Sequence, residues 1–194
     1  MQTLEAIERR RSVRSYRSEQ VRDEDLERVL QAGLRAPHAG PFLVSVVQEP
    51  TLLRDIADAA LEGMKNSPVE FLRQQAATPG YNPLYGAPTL ILLTSPADAM
   101  NGAANCALAA ESIILASTDL GLGTCYMGSP SSALNGPRGK DLARAIGIPD
   151  GYVFRSSVLL SPSGIHAPKQ PIVHHAARAD ALSMCTSIRT CTQE

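Results

Sequence analysis

Tryptophan is absent from this chain of 194 residues, and other aromatic side chains are few, three Phe and five Tyr. So thin a supply argues against a single-stranded nucleic-acid binder, whose affinity comes from bases stacked on exposed rings. A surplus of positive charge is missing too. Lys and Arg number 18 against 19 Asp and Glu, whereas a general polyanion binder needs excess cations to displace counterions. The cysteines Cys106, Cys125, Cys185 and Cys191 form no C-x-x-C pair, and no histidine stands at a zinc-like spacing from them. A metal site is therefore not expected, and the thiols suit a reduced, intracellular protein. No apolar run is long enough to cross a bilayer, and Met1-Gln2-Thr3-Leu4-Glu5 lacks the apolar stretch of a secretory leader. The expected location is the cytoplasm, with no membrane and no nucleic-acid partner. The G-x-S-x-G elbow of a serine hydrolase is also missing. Gly136-Pro137-Arg138-Gly139-Lys140 fails as a phosphate loop, because Asp141 stands where Ser or Thr is required.

What is present reads as ordinary globular protein, 44% hydrophobic and 19% charged. One domain is expected over residues 1–177, followed by a tail, 178–194, with little periodicity and no assigned role. Leu4 and Ile7 suit a short amphipathic helix ending near Arg10. Leu26, Val29, Leu30 and Leu34 predict a second helix, with Asp23 as its cap and Ala36-Pro37 as its end. Strands are expected at Phe42–Gln48, Thr89–Thr94, Leu122–Met127 and Tyr152–Leu160. Further helices are expected at Thr51–Met64, Val69–Ala76 and Pro137–Ile146. Between Asn101 and Leu120 runs a helix with apolar residues on nearly every face, which calls for burial on nearly every face, at a domain centre or a dimer interface. Gly121 supplies its left-handed cap. The fold class is α+β, with helices around a mainly antiparallel or mixed sheet.

Four segments carry candidate chemistry. Arg9, Arg10, Arg11, Arg14 and Arg17 crowd five of the 18 cations into the N-terminal stretch. A phosphate dianion needs such converging planar donors, and Arg10 and Arg14 share one face if the helix continues. A solvated basic face is the competing reading. Ala36-Pro37-His38-Ala39-Gly40-Pro41 leaves backbone open to a flat ligand, or is an ordinary helix-to-strand turn. Leu120-Gly121-Leu122-Gly123-Thr124-Cys125-Tyr126-Met127-Gly128 suits close backbone approach, or is a cap and a strand start. Ala167-Pro168-Lys169 offers one cation after the last strand.

In order and interval, these segments resemble the FMN-dependent nitroreductase family from about Leu4 to Pro171. The resemblance rests on Glu8-Arg9-Arg10-Arg11-Ser12-Val13-Arg14, Ala36-Pro37-His38-Ala39-Gly40, Gly86-Ala87-Pro88-Thr89, the long helix running into Leu120–Gly128, Gly147-Ile148-Pro149-Asp150-Gly151-Tyr152 and Ala167-Pro168-Lys169. It implies a homodimer with the long helix at the interface and two FMN sites built by both subunits. Arg10, with Arg11 beside it, would bind the phosphate, and Ser12 the phosphate or ribityl chain. Arg14 would lie near the pyrimidine edge. Pro37, His38 and Ala39 would line the ring system through backbone atoms, Tyr126, Met127 and Gly128 would pack against its other region, and Lys169 would complete the phosphate site. NADH or NADPH would deliver hydride to the flavin and leave, and a small acceptor such as a nitroaromatic or quinone would then take the electrons. No catalytic side chain is implied.

The chain departs from the family pattern after Ala39. An amide-bearing stretch is shortened by about three residues, Gly40 running straight into Pro41-Phe42, so flavin hydrogen bonds normally worth about 1 kcal/mol each are lost. A protein that keeps the fold and binds flavin or another anion without turnover is the alternative.

Overall fold

The computed structural model describes residues 2–162, so Lys169 and the tail from residue 178 lie outside the described residues. The order is α1 (Thr3–Arg9), α2 (Asp23–Leu34), β1 (Leu43–Val47), α3 (Pro50–Lys65), α4 (Glu70–Ala76), β2 (Thr89–Pro96), α5 (Gly102–Asp119), β3 (Leu122–Met127), α6 (Pro130–Leu134), α7 (Gly139–Ile146) and β4 (Tyr152–Pro162). The α+β expectation holds. The choice left open for the sheet resolves to four wholly antiparallel strands in the order β1-β2-β4-β3.

The sheet divides the core in two. Successive side chains along a strand point to opposite faces, so Leu90 and Leu92 of β2 face α3 and α7, together with Val47, Ile56, Ala60, Leu142 and Leu159. Ile91 and Leu93 face α2 and α5, with Val29, Ala109, Ile113, Val158 and Leu160. Burial on both sides accounts for the unbroken apolar run of β2.

Helix ends are set by specific groups. The Glu49 carboxylate accepts the Thr51 and Leu52 amides at the start of α3, with Pro50 in the first turn, and these bonds hold Glu49 below the usual carboxylate range. At the start of α2 the expectation was wrong. Asp23 is already helical, its N-cap is Arg22, and no side chain caps the helix. Arg22 instead pairs with the buried Asp25 at 2.7 Å. Gly121 ends α5 at φ +73° as anticipated. The short α6 was not anticipated, and Pro137 stands before α7 rather than in its first turn.

Helix α5 is buried on one side only within the chain. Asn105, Cys106, Ala109, Ala110, Ile113, Ile114 and Ser117 face inward, whereas Ala103, Ala104, Ala107 and Leu108 are exposed, Leu108 at 47%. Among the described residues, the burial expected on nearly every face is met on one side only. Helix α1 packs beside α5 and leaves Leu4 and Ile7 exposed as well. Among the described residues no helix is long and apolar enough to cross a membrane.

Helices α3 and α6 approach so closely that a Cβ on Gly63 would stand 2.5 Å from the Ser132 carbonyl oxygen. Because that neighbour is backbone, Gly63→Ala is expected to destabilise the protein by about 1–3 kcal/mol, read as a lower denaturant midpoint at unchanged slope.

Candidate functional site

The arginine segment is not helical where it matters. Helix α1 stops at Arg9, and Arg10 takes φ −50°, ψ 129°. From there the chain runs along the free edge of β3: Ser12 bridges Thr124 in parallel, and the Val13 amide donates to the Thr124 carbonyl at 2.7 Å. Arg10 and Arg14 were expected to share a face through a helical turn. They share it through strand alternation instead, since positions 10, 12 and 14 fall on one side of an extended segment. The consequence is spacing. Four residues of extended chain cover about 13 Å, too far for two Cα positions flanking one phosphate and suited to the two ends of an elongated ligand.

The side chains confirm the shared face. Burial pushes the Cys125 thiol up, while the charge of Arg14, the Ser12 side chain and the charge of Arg10 pull it down. All three even-numbered residues therefore act on one atom of β3. Cys125 sits with Met127 on the α3 side, their sulfurs 3.6 Å apart.

Not every arginine in the cluster is available. Arg9 pairs with Glu5 at 2.8 Å, and Arg17 reaches Glu19 at 4.0 Å. Arg11 turns back to donate to the Glu8 and Arg10 carbonyls, satisfying the end of α1. Among the described residues neither the Arg10 nor the Arg14 guanidinium has a hydrogen-bond or ion-pair partner. Local bonding thus separates two open cations from three engaged ones, a distinction invisible in the charge pattern.

Tyr16 and Tyr81 feel the charge of Arg14, and Tyr85 stands beside Tyr81. Tyr16 packs against the α3-side core, its hydroxyl buried without a hydrogen-bond partner. Burial drives its phenol far above the usual range, Cys125 adds to the rise and Arg14 opposes it. Tyr81 and Tyr85 meet edge to face at 6.0 Å. The Tyr81 phenol is pushed up to about 12, chiefly by burial and then by Tyr85, again with Arg14 opposing. Tyr85 holds φ +51°, costly for a bulky residue. The loop keeps it there through bonds from the Leu84 amide to the Asn82 side chain and from the Ser129 hydroxyl to the Pro83 carbonyl, both 2.8 Å. The Tyr16 and Tyr81 phenols stay neutral near pH 7. None was singled out from the sequence, because a tyrosine in a loop carries no periodic signal.

Beyond Cys125, Tyr126 is 50% exposed and Met127 half-buried, its carbonyl accepting the Ser157 hydroxyl at 2.8 Å. At Gly128 nothing lies within 4 Å of where a Cβ would stand, so its backbone is open to an incoming group. Arg10, Ser12, Arg14 and Tyr126–Gly128 thus gather on one edge of the sheet.

Pro37, His38 and Ala39 do not join them. Their loop leads into β1, the opposite edge strand, three strand spacings or about 14 Å across. The loop is nonetheless well held. The His38 Nδ1–H donates to the Ala36 carbonyl at 3.0 Å, and the imidazole meets Phe42 edge to face at 5.3 Å. Asn105, 3% exposed on α5, accepts the Ala39 amide at 3.2 Å and donates to the Ala39 and Gly40 carbonyls at 3.0 and 3.5 Å. Its signal in the sequence was faint: an amide in an alanine-rich helix, at a position where burial demands partners.

The residues fit a flavin mononucleotide in kind, with two open cations for an anionic tail and a polar ring edge, a hydroxyl between them in sequence, free space beside Gly128 and neutral phenols alongside. The profile of the nitroreductase family matches residues 7–160. An Archaeoglobus fulgidus protein described as "Putative NADH dehydrogenase/NAD(P)H nitroreductase" is 31% identical over 160 residues, covering 81% of this chain and 83% of the relative. Among solved structures, a nitroreductase with bound FMN from Desulfitobacterium hafniense is 26% identical with a TM-score of 0.77, covering 90% of this chain and 98% of that one. A nitroreductase with bound FMN from Bacteroides fragilis shares the fold at a TM-score of 0.78 and 24% identity, with the same two coverages. Motif order, sheet topology and these matches agree, and the chain belongs to the nitroreductase family.

Proposed function

We propose that the protein is an FMN-dependent oxidoreductase working as a homodimer. The observation that carries this reading is the pair of unengaged guanidinium groups, Arg10 and Arg14, aligned with Ser12 along the free edge of β3. Arg10 binds the phosphate, Ser12 donates to the phosphate or ribityl chain, and Arg14 meets the pyrimidine edge. Lys169, outside the described residues, adds a second cation at the phosphate. When bound, FMN accepts hydride from NADH or NADPH and passes the electrons to a small acceptor such as a nitroaromatic or quinone. Arg14 places a fixed cation where negative charge collects in the reduced ring, an electrostatic contribution needing no protein nucleophile. The Tyr126–Gly128 backbone and the Pro37–Ala39 loop confine the ring and exclude water. The FMN in the two similar structures supports the cofactor assignment.

Placement supports the dimer. Because the loop and the cations lie on opposite sheet edges, a site using both takes the loop from a second copy. The exposed Ala103, Ala104, Ala107 and Leu108 face of α5 supplies the apolar surface for that contact. With Arg9, Arg11 and Arg17 engaged locally, the cluster suits a small anion better than a nucleic acid. The free, buried thiols of Cys106 and Cys125 suit the cytoplasm.

Purified protein is expected to carry visible flavin absorbance that NADH or NADPH bleaches without oxygen and a nitroaromatic or quinone restores. A colourless protein that FMN does not reconstitute would contradict this reading, and one that holds FMN but resists bleaching would point to a binding protein without turnover. Titration of apoprotein with FMN is expected to show affinity falling about tenfold to a hundredfold in Arg10→Ala and unchanged in Arg17→Ala. In sedimentation, Leu108→Arg is expected to shift dimer toward monomer and to lose FMN in parallel.

A further inference from the structure

We infer that Asn105 is a positioning residue that couples assembly of two copies to cofactor binding, a proposal resting on the flavoprotein reading above. The loop from Ala36 to Pro41 carries no side-chain amide of its own, and its backbone is held instead by one buried side chain from α5. The Asn105 carboxamide engages the loop backbone with both its ends, taking the Ala39 amide and giving to the Ala39 and Gly40 carbonyls. The carboxamide is almost fully buried, and replacing it takes three hydrogen bonds away from the loop backbone. The His38 and Phe42 contacts fix the loop's outer side, so its conformation is set before any ligand arrives.

Asn105 also sits between the exposed residues Ala103, Ala104, Ala107 and Leu108. One turn of helix therefore carries the surface that meets a second copy and the clamp on the loop that reaches the second copy's flavin. Binding that depends on both is linked: whatever tightens the dimer tightens FMN, and by the same factor FMN tightens the dimer. Asn105 transmits that linkage without touching the cofactor.

Asn105→Leu keeps the branched heavy-atom skeleton, at a larger volume, and removes the hydrogen bonds. FMN affinity is expected to fall about tenfold to a hundredfold, while the dimer dissociation constant measured without FMN stays at the wild-type value. In wild type, saturating FMN tightens the dimer; in Asn105→Leu that tightening shrinks by the square of the per-site affinity loss, because each dimer binds two FMN. Hydrogen exchange at the Ala39 amide is expected to speed up in the variant, with protection of β2 unchanged. Asn105→Asp is the conservative probe. Its carboxylate accepts the Ala39 amide but repels two carbonyls, so its affinity relative to wild type is expected to be low at neutral pH and to rise as falling pH protonates the side chain and restores one donor. If wild type takes up FMN and Asn105→Leu takes it up equally, the positioning role falls and the flavoprotein reading stands. If wild type takes up none, both fall. Loss of β2 protection in both variants would show a folding defect and overturn the specific role.

Discussion

One backbone pairing organises the candidate site: the chain after α1 lies along β3, with the Val13 amide on the Thr124 carbonyl and Ser12 opposite Thr124. An exposed strand edge holds unpaired amides and carbonyls that want partners. The N-terminal segment covers part of that edge and in doing so becomes extended. Extension puts Arg10, Ser12 and Arg14 on one face at regular intervals and sends Arg11 back to finish α1. A helix through the same residues would have gathered Arg10 and Arg14 onto one short patch. The strand-like path spreads them over the length of a nucleotide.

The same topology underlies the proposed homodimer. The order β1-β2-β4-β3 leaves β1 and β3 at opposite edges, so the Pro37–Ala39 loop and the arginines are divided by the full width of the sheet. Helix α5 bridges them from one face, clamping the loop with Asn105 near its start and passing into β3 at its end. Its outward alanines and Leu108 are apolar surface in want of cover. A symmetric partner satisfies the edge problem and the surface problem with a single contact.

Much of this was legible in the residues. Helix α2 followed from Leu26, Val29 and Leu30, β2 from its unbroken apolar run, and the α5 stop from Gly121. The path of the arginine segment was not, because a separation of four residues fits a helical turn and two strand repeats equally well. Helix α6 spans five residues, too few for a period to show, though Pro130 marks its start. Asn105, Tyr16 and Tyr85 were silent because their importance lies in contacts distant along the chain. The apolar character of α5 was read as a demand for burial, and among the described residues that demand is met on one side of the helix.

The account's central claim is that each flavin site takes its cations from one copy and its ring-facing loop from the other. Differently tagged chains, one carrying Arg10→Ala with Arg14→Ala and the other Ala39→Trp, can be co-expressed and the mixed dimer isolated. Each homodimer has two damaged sites and is predicted to hold no FMN. The mixed dimer combines intact cations with an intact loop at one site and is predicted to hold one FMN per dimer. A mixed dimer that remains empty, as it would if each site were built within a single chain, contradicts the claim.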